Sequence, residues 1–303
     1  MKIEVNQNYT YETMPEFTEA VEGAKEIVFT GEEMGIRYLH DVVYDHKDGV
    51  DLKLQIVQPY LFNQEKKFPC VVFIQGSAWF QQDIYGNVPN LGKLAERGYV
   101  CVLVQYRHSG IAKFPAQIVD AKNAIRYVKA HADELGILKD QVIVMGDSSG
   151  GHCSMMTGMT AKSGKFDEPV NKESCEIRGI INLYGAVDIL KPDGFPITEN
   201  HQLPDSPEGQ MMGFNLREDP ERGAAGVAKN YVNEDFPAVL ILHGTRDRLV
   251  SCVQSVELYQ ALKAAGKEVD FYLVHHSDHG GPAFWTGQAV DIYDAFIRKC
   301  LEA

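Results

Sequence analysis

From about residue 69 onward the chain alternates short apolar runs with stretches of helical period. The runs are PCVVFIQG, YVCVLVQY, VIVMGD, IRGIINLYG, AVLILHG and VDFYLVHH. They are nearly continuous in Val, Ile and Leu, with no polar alternation, and this is the pattern of parallel strands buried on both faces by helices. The stretch PAQIVDAKNAIRYVKAHADELG supplies one such helix: Ile118, Ala121, Ile125 and Val128 recur every three to four residues, and Gly136 closes the run. The expected class is therefore α/β, a mostly parallel central sheet with helices on both faces. We read the 303 residues as one such domain, 1–303.

Upstream, IRYLHDVVYDHKDGVDLKLQIVQPY reads as two strands joined by a turn at DHKDG, an antiparallel edge added to the sheet. Residues 1 to about 35 form an N-terminal extension. Within it, MPEFTEAVEGAKEIV has the pattern of an amphipathic helix that would pack on the core, cover a site or touch a second subunit, so a homo-oligomer stays open. Between Gly185 and Phe236 the composition shifts to Pro, Gly, Asp and Asn, which reads as an excursion of the same domain, about 186–235, lying above the sheet.

A formal net charge of -13 opposes attraction to phosphate backbones and anionic membrane surfaces, so neither nucleic acid nor membrane is an expected partner. The start MKIEVNQNYTYETMPEF lacks the basic and apolar blocks of a secretory signal, and a cytoplasmic location is expected. Six cysteines are scattered without a CxxC pair, which suggests neither a disulfide framework nor a zinc knuckle; Cys70 and Cys101 read as small core residues.

Chemistry concentrates where strands end. GDSSGGH fits the GxSxG template in one register only, with Gly146 and Gly150 flanking Ser148. That motif makes a sharp strand-to-helix turn, lifts the serine oxygen clear of the sheet, and aims the free N–H groups of the new helix at the same spot. A serine hydroxyl attacks only when a base removes its proton, so an imidazole and an orienting carboxylate must follow. AVLILHGTRDRLV supplies Asp247 after one strand, with His243 read as a strand-end residue hydrogen-bonded in the turn. VDFYLVHHSDHGGPAF supplies His275, His276 and His279 after the last strand, with Asp278 the runner-up to Asp247 for the acid, since a side chain adjacent to His279 rarely points at its ring nitrogen. HHSDH has metal-ligand chemistry but no HExxH helix accompanies it, and a serine nucleophile needs no metal; neither metal nor cofactor is expected.

QYRHSGIAKFPAQIVDAKNAIRYV, GDSSGGH, HGTRDRLV and DHGGP, in this order along the chain, resemble the α/β-hydrolase serine esterases, close to the hormone-sensitive-lipase-like and feruloyl or acetylxylan esterase-like (BD-FAE-like) branch. The resemblance implies an α/β-hydrolase fold and a triad of Ser148, Asp247 and His279, the histidine that Gly280 and Gly281 follow. It also places the oxyanion loop at FIQGSAWF, where Gln75 stands for the family's histidine and Ser77 and Ala78 for glycines. The expected oxyanion donors are the N–H groups of Ser77, Gly76 and Ser149, the side chain of Ser149 being dispensable. Trp79, Phe80 and Tyr85 on one loop, and Phe284 and Trp285 on another, are candidates for substrate contact or for loop packing, and Arg107 reads as structural.

The implied reaction is carboxylic-ester hydrolysis through an acyl-enzyme. The implied partner is a small-molecule ester: a short-chain (acetyl) or hydroxycinnamoyl ester, including those of acylated oligosaccharides. A prolyl-oligopeptidase-type peptidase shares the triad order, but its propeller finds no blade repeat here. A non-catalytic ligand-binding α/β-hydrolase is disfavoured by the retention of all three triad residue types.

Overall fold

The computed structural model describes residues 8–62, 66–191, 198 and 200–302. One eight-stranded sheet runs through it. Strands β1 (Met34–Lys47) and β2 (Val50–Leu61) form a hairpin, β3 (Phe68–Ile74) leads to helix α1 (Val88–Ala95), and β4 (Val100–Val104) leads to α2 (Ala116–Ala130). β5 (Ile137–Asp147) then runs into α3 (Ser149–Met159), and β6 (Gly179–Leu183) into the excursion with its short helices α4 (Pro207–Met212) and α5 (Pro220–Gly223). β7 (Val239–Gly244), α6 (Cys252–Ala264), β8 (Val269–Val274) and α7 (Gly287–Glu302) complete the chain.

The strand order is β1-β2-β4-β3-β5-β6-β7-β8. β1 and β2 are antiparallel to their neighbours, and every pairing from β4 to β8 is parallel. The hairpin turn is the Asp48-Gly49 pair, both in the left-handed region (φ 50° and 75°), as a two-residue turn between right-twisted strands requires. β3, β4, β6 and β7, and the second half of β5 from Val142 to Gly146, are almost wholly buried, because helices cover both faces. β8 is an edge, and its Tyr272 and Leu273 are exposed.

Two apolar layers sandwich the sheet. On one face α2 and α3 pack through Ile118, Ile125, Val128, Met155 and Met159. On the other, α1 and α7 pack through Leu91, Leu94, Tyr293, Phe296 and Ile297. The excursion does not stand free of the body: Val187, Ile189, Met211, Met212, Leu216 and Tyr231 bury into the α2/α3 layer. Residues 192–197 and 199 of the excursion, and 1–7 of the N-terminal extension, lie outside the described residues. Arg107 is structural as expected: its guanidinium meets Asp120 of α2 at 2.7 Å and Asp48 of the hairpin turn at 2.8 Å, tying the antiparallel edge to the helical layer.

Two local expectations need correction. The helix-like pattern MPEFTEAVEGAKEIV is not helical; residues 15–28 follow an irregular, exposed path with Phe17, Val21, Ile27 and Val28 open to solvent. An amphipathic period forms a helix only where a partner face buries its apolar stripe, and these side chains have none. The α2 helix closes at Ala130, short of Gly136, which takes a left-handed φ of 63° at the entry to β5. No described helix is long and apolar enough to cross a membrane.

Candidate functional site

Ser148 sits between β5 and α3 with φ 52° and ψ -125°, a strained conformation for a residue with a side chain. The flanking glycines are what let the chain turn there. A Cβ on Gly146 would overlap the carbonyl of Gly150, and one on Gly150 would overlap the carbonyl of Ile74 in β3. The Ser148 N–H is secured by the Leu183 carbonyl at 2.9 Å, so the turn is pinned from both neighbouring strands.

His279 reaches this serine from the loop after β8. Its Nε2 lies 2.8 Å from Ser148 Oγ and its Nδ1 lies 2.8 Å from Asp247 Oδ2. A carboxylate only accepts, so Nδ1 carries the proton and Nε2 is left to accept from the serine. Asp247, in the turn after β7, is 2% exposed. Its Oδ1 accepts the N–H groups of Leu249 (2.9 Å) and Val250 (2.8 Å), which fix its plane. Burial pushes this carboxyl up, but the hydrogen bonds and charge of His243 and His279 outweigh it and hold the group well below the usual carboxylate range.

The other residues of the two loops divide as follows. Asp278 accepts the Arg248 guanidinium at 2.6 Å and the His279 N–H at 2.8 Å, bracing the histidine loop against the acid loop. The Arg248 side chain, foremost, holds its pKa down to about 2. His243 is fully buried; its Nε2 lies 3.0 Å from the Val250 carbonyl and 3.1 Å from Asp247 Oδ2, and its Nδ1 lies 2.7 Å from Ser255 Oγ. It is the turn residue expected from sequence, with an added contact to the acid. His275 and His276 are exposed, and among the described residues no group of three or more His, Cys, Asp or Glu side chains could hold a metal ion.

The expected oxyanion donors need revision. The N–H of Gly76 donates to Asp147 Oδ1 at 2.6 Å, and that of Ser77 donates to Ser149 Oγ at 2.9 Å. The Ser149 side chain, expected to be dispensable, is thus an acceptor for the loop. Among the described residues, the N–H groups of Ala78 and Ser149 have no protein acceptor. Ala78 and Trp79 both have positive φ (54° and 56°), and Phe80 N–H donates to the Ser77 carbonyl at 3.0 Å, the arrangement of a type I′ turn. Left-handed conformations cost about 1–2 kcal/mol for each such residue, so the surroundings must enforce this turn. The sequence signal for Ala78 was its place as the third residue after Gln75, where a glycine was expected; the alanine masked the left-handed turn.

Trp79, Phe284 and Trp285 are core residues, a correction to their candidacy for substrate contact. Trp79 is 1% exposed and donates its indole N–H to His152 Nδ1 at 3.3 Å. Phe284 packs on Tyr184 with ring centroids 4.4 Å apart, and Trp285 packs between Phe73 and Tyr293. Large aromatic rings beside a loop bury more apolar surface by closing the layer beneath it than by lining its mouth. Phe80 and Tyr85 retain exposure, and the Tyr85 hydroxyl donates to Asp41 at 2.8 Å. A further participant is Tyr184, whose ring meets that of His279 edge-on at 4.9 Å and whose hydroxyl donates to Asp147 at 3.2 Å.

Known proteins share this arrangement of elements. The chain is 28% identical over 211 residues to the probable carboxylic ester hydrolase LipM of Mycobacterium tuberculosis (strain ATCC 25618 / H37Rv), covering 67% of this chain and 47% of that protein. It is 27% identical over 213 residues to esterase LipC of the same organism, covering 69% and 51%. The chain therefore spans about half the length of the curated relatives it matches. Among solved structures, a truncated carbohydrate esterase from gut microbiota superposes with a TM-score of 0.78 at 26% identity, covering 88% of this chain and 97% of that one. The sequence pattern of the BD-FAE family matches residues 54–262, from β2 through most of α6, and the chain belongs to that family of α/β-hydrolases.

Proposed function

We propose that this protein is a serine carboxylic-ester hydrolase acting through an acyl-enzyme on short-chain acyl, chiefly acetyl, or hydroxycinnamoyl esters carried by carbohydrate. The observation that carries the reading is the unbroken relay from Asp247 through His279 to Ser148, with 2.8 Å at each step. His279 Nε2 takes the serine proton as Oγ bonds to the ester carbonyl carbon. The N–H groups of Ala78 and Ser149 stabilise the oxyanion, the latter reinforced by the N-terminus of α3. The C–O bond to the alcohol breaks, and the alcohol departs with the proton held by His279. Water, deprotonated by the same imidazole, then attacks the acyl-serine; the acid leaves and Ser148 regains its proton.

Support for a carbohydrate ester comes from the gut-microbiota carbohydrate esterase among the structural relatives, beside which a bifunctional GH43-CE protein of Bacteroides eggerthii matches at 25% identity with a TM-score of 0.76, covering 87% of this chain and 38% of that one. A cytoplasmic setting would suit short, soluble fragments better than polymer. The test has two arms. Ser148→Ala should abolish hydrolysis of p-nitrophenyl acetate while leaving the melting temperature largely unchanged; retained turnover would sink the nucleophile assignment. A panel of acetylated and feruloylated xylo-oligosaccharides, simple short-chain esters and aminoacyl-arylamides should show preference for the sugar esters; preferential arylamide cleavage would replace the esterase with a peptidase.

A further inference from the structure

The two adjacent serines have unlike surroundings, and the second one has a hydroxyl with a defined place. Ser149 is 1% exposed. Its Oγ accepts the Ser77 N–H at 2.9 Å and lies 3.4 Å from the Tyr106 hydroxyl. That hydroxyl lies 3.0 Å from Ser77 Oγ, which in turn donates to the Phe80 carbonyl at 2.7 Å. The carbonyl sets the direction of every proton in this group, because it can only accept. Ser77 Oγ spends its one proton on Phe80 and so accepts from Tyr106; Tyr106, having given its proton, accepts from Ser149. With Ser77 N–H returning to Ser149 Oγ, the circuit closes. Burial, foremost, pushes the Tyr106 phenol up, which keeps its proton in place across the working pH range.

Ser77 and Phe80 are the two ends of the strained turn whose central residues are Ala78 and Trp79. Its other anchors act elsewhere: the Trp79 carbonyl accepts the Ser109 N–H at 2.8 Å, the Trp79 indole meets His152, and the Gly76 N–H meets Asp147. The circuit alone grips the first residue of the turn by both backbone and side chain, and it does so from the residue next to Ser148. We propose that the Ser149 hydroxyl is a positioning group for the oxyanion site: together with Tyr106 it holds Ser77 so that the turn keeps the Ala78 N–H aimed at the carbonyl that Ser148 attacks. This rests on the acyl-transfer reading of the site. It explains why the second serine of GDSSGGH and the serine of QGSAW occur together in this chain, since neither hydroxyl completes the circuit without the other.

The experiment uses the full chain with p-nitrophenyl acetate and the variants Ser149→Ala, Tyr106→Phe and the double variant. Ser149→Ala keeps the backbone N–H and removes only the acceptor. Each single variant should lower kcat about tenfold with KM within about twofold, the loss expected for misaligning one donor to a developing charge. The double variant should be no worse than the poorer single, because one circuit is broken once. Binding of benzeneboronic acid, which places a tetrahedral anionic centre on the nucleophile, should weaken in step with kcat. A merely structural role would lower the melting temperature and leave kcat and boronate affinity unchanged, and that result overturns the proposal. Should Ser149→Ala fail to fold, Tyr106→Phe, which preserves the buried ring, decides by the same readouts. Activity in Ser148→Ala would instead remove the acyl-transfer reading on which the proposal rests; an inactive Ser148→Ala beside a fully active Ser149→Ala removes this proposal alone.

Discussion

His243 and His279 converge on one oxygen of Asp247: Oδ2 lies 3.1 Å from His243 Nε2 and 2.8 Å from His279 Nδ1. The first histidine is wholly buried and belongs to β7, so it holds the acid from beneath while the second works above it. His243→Leu removes the donor to Oδ2 and leaves Ser255 Oγ without its partner. Losing buried hydrogen bonds of this kind costs about 1–3 kcal/mol, and the acid loop should loosen with it. The expected outcome is a lower urea midpoint together with a reduced kcat; a variant of unchanged kcat would show that Asp247 needs only its backbone donors.

Asp247→Asn tests the acid more directly. The amide preserves shape, but it can present N–H where His279 Nδ1–H needs an acceptor, favouring the wrong imidazole tautomer. In Ser-His-Asp sites this costs on the order of 10⁴ in kcat. Steady-state rates on p-nitrophenyl acetate measure it, and a loss below tenfold would move the acid's role to another carboxylate, with Asp278 the first to test.

Gly150→Ala should be far more damaging than an ordinary Gly-to-Ala change in a helix. Its Cβ would overlap the Ile74 carbonyl, a backbone atom at the end of β3 that cannot move without displacing the oxyanion loop that follows. We expect lost activity and a melting temperature lowered by several degrees, read by differential scanning calorimetry. The same change at Gly92 of α1, where a Cβ meets nothing, should be neutral or stabilising.

Stability should fall as pH is lowered from about 6.5 toward 4, through His152. Burial, foremost, depresses its pKa to about 4 from the ordinary 6.5; Nε2 donates to the Gly226 carbonyl and Nδ1 accepts from Trp79. Since the unfolded chain takes up this proton more readily, stability is complete above pH 6.5 and is lost as pH falls toward the folded value, by roughly 3 kcal/mol in all. Urea unfolding between pH 7 and 4.5 measures the slope. His152→Gln should show a shallower one, and an identical slope in both proteins would assign the effect to other groups.

Arg107→Met should destabilise the protein by about 3–5 kcal/mol, because it strands Asp120, whose side chain is fully buried, without its cation. Arg107→Lys cannot reproduce the two-pronged contact and should recover only part of the loss. Unfolding midpoints compare the three proteins, and a Met variant as stable as wild type would show that the pair contributes little.

What the sequence determined by itself is whatever depends on local periodicity and on fixed chain order. The six apolar runs marked the strands of the parallel sheet, five of them central and the last, β8, its exposed edge, the Asp48-Gly49 pair could only be a tight turn, and GDSSGGH at a strand end could place only Ser148 in the motif's register. Asp247 and His279 were legible because each lies just past a strand whose end faces the same edge of the sheet. Tertiary structure decided what depends on which atoms happen to meet. Whether 15–28 became a helix turned on the absence of a face to bury it. Whether Trp79, Phe284 and Trp285 line a pocket or fill a layer turned on which side of the loop their rings fell. Which N–H groups stay open for the proposed oxyanion site turned on hydrogen bonds between residues some seventy positions apart, Gly76 with Asp147 and Ser77 with Ser149, which used up two expected N–H groups and left those of Ala78 and Ser149. A backbone N–H is the same group in every residue but proline, so only the folded path of the chain can show which one remains free to meet a substrate.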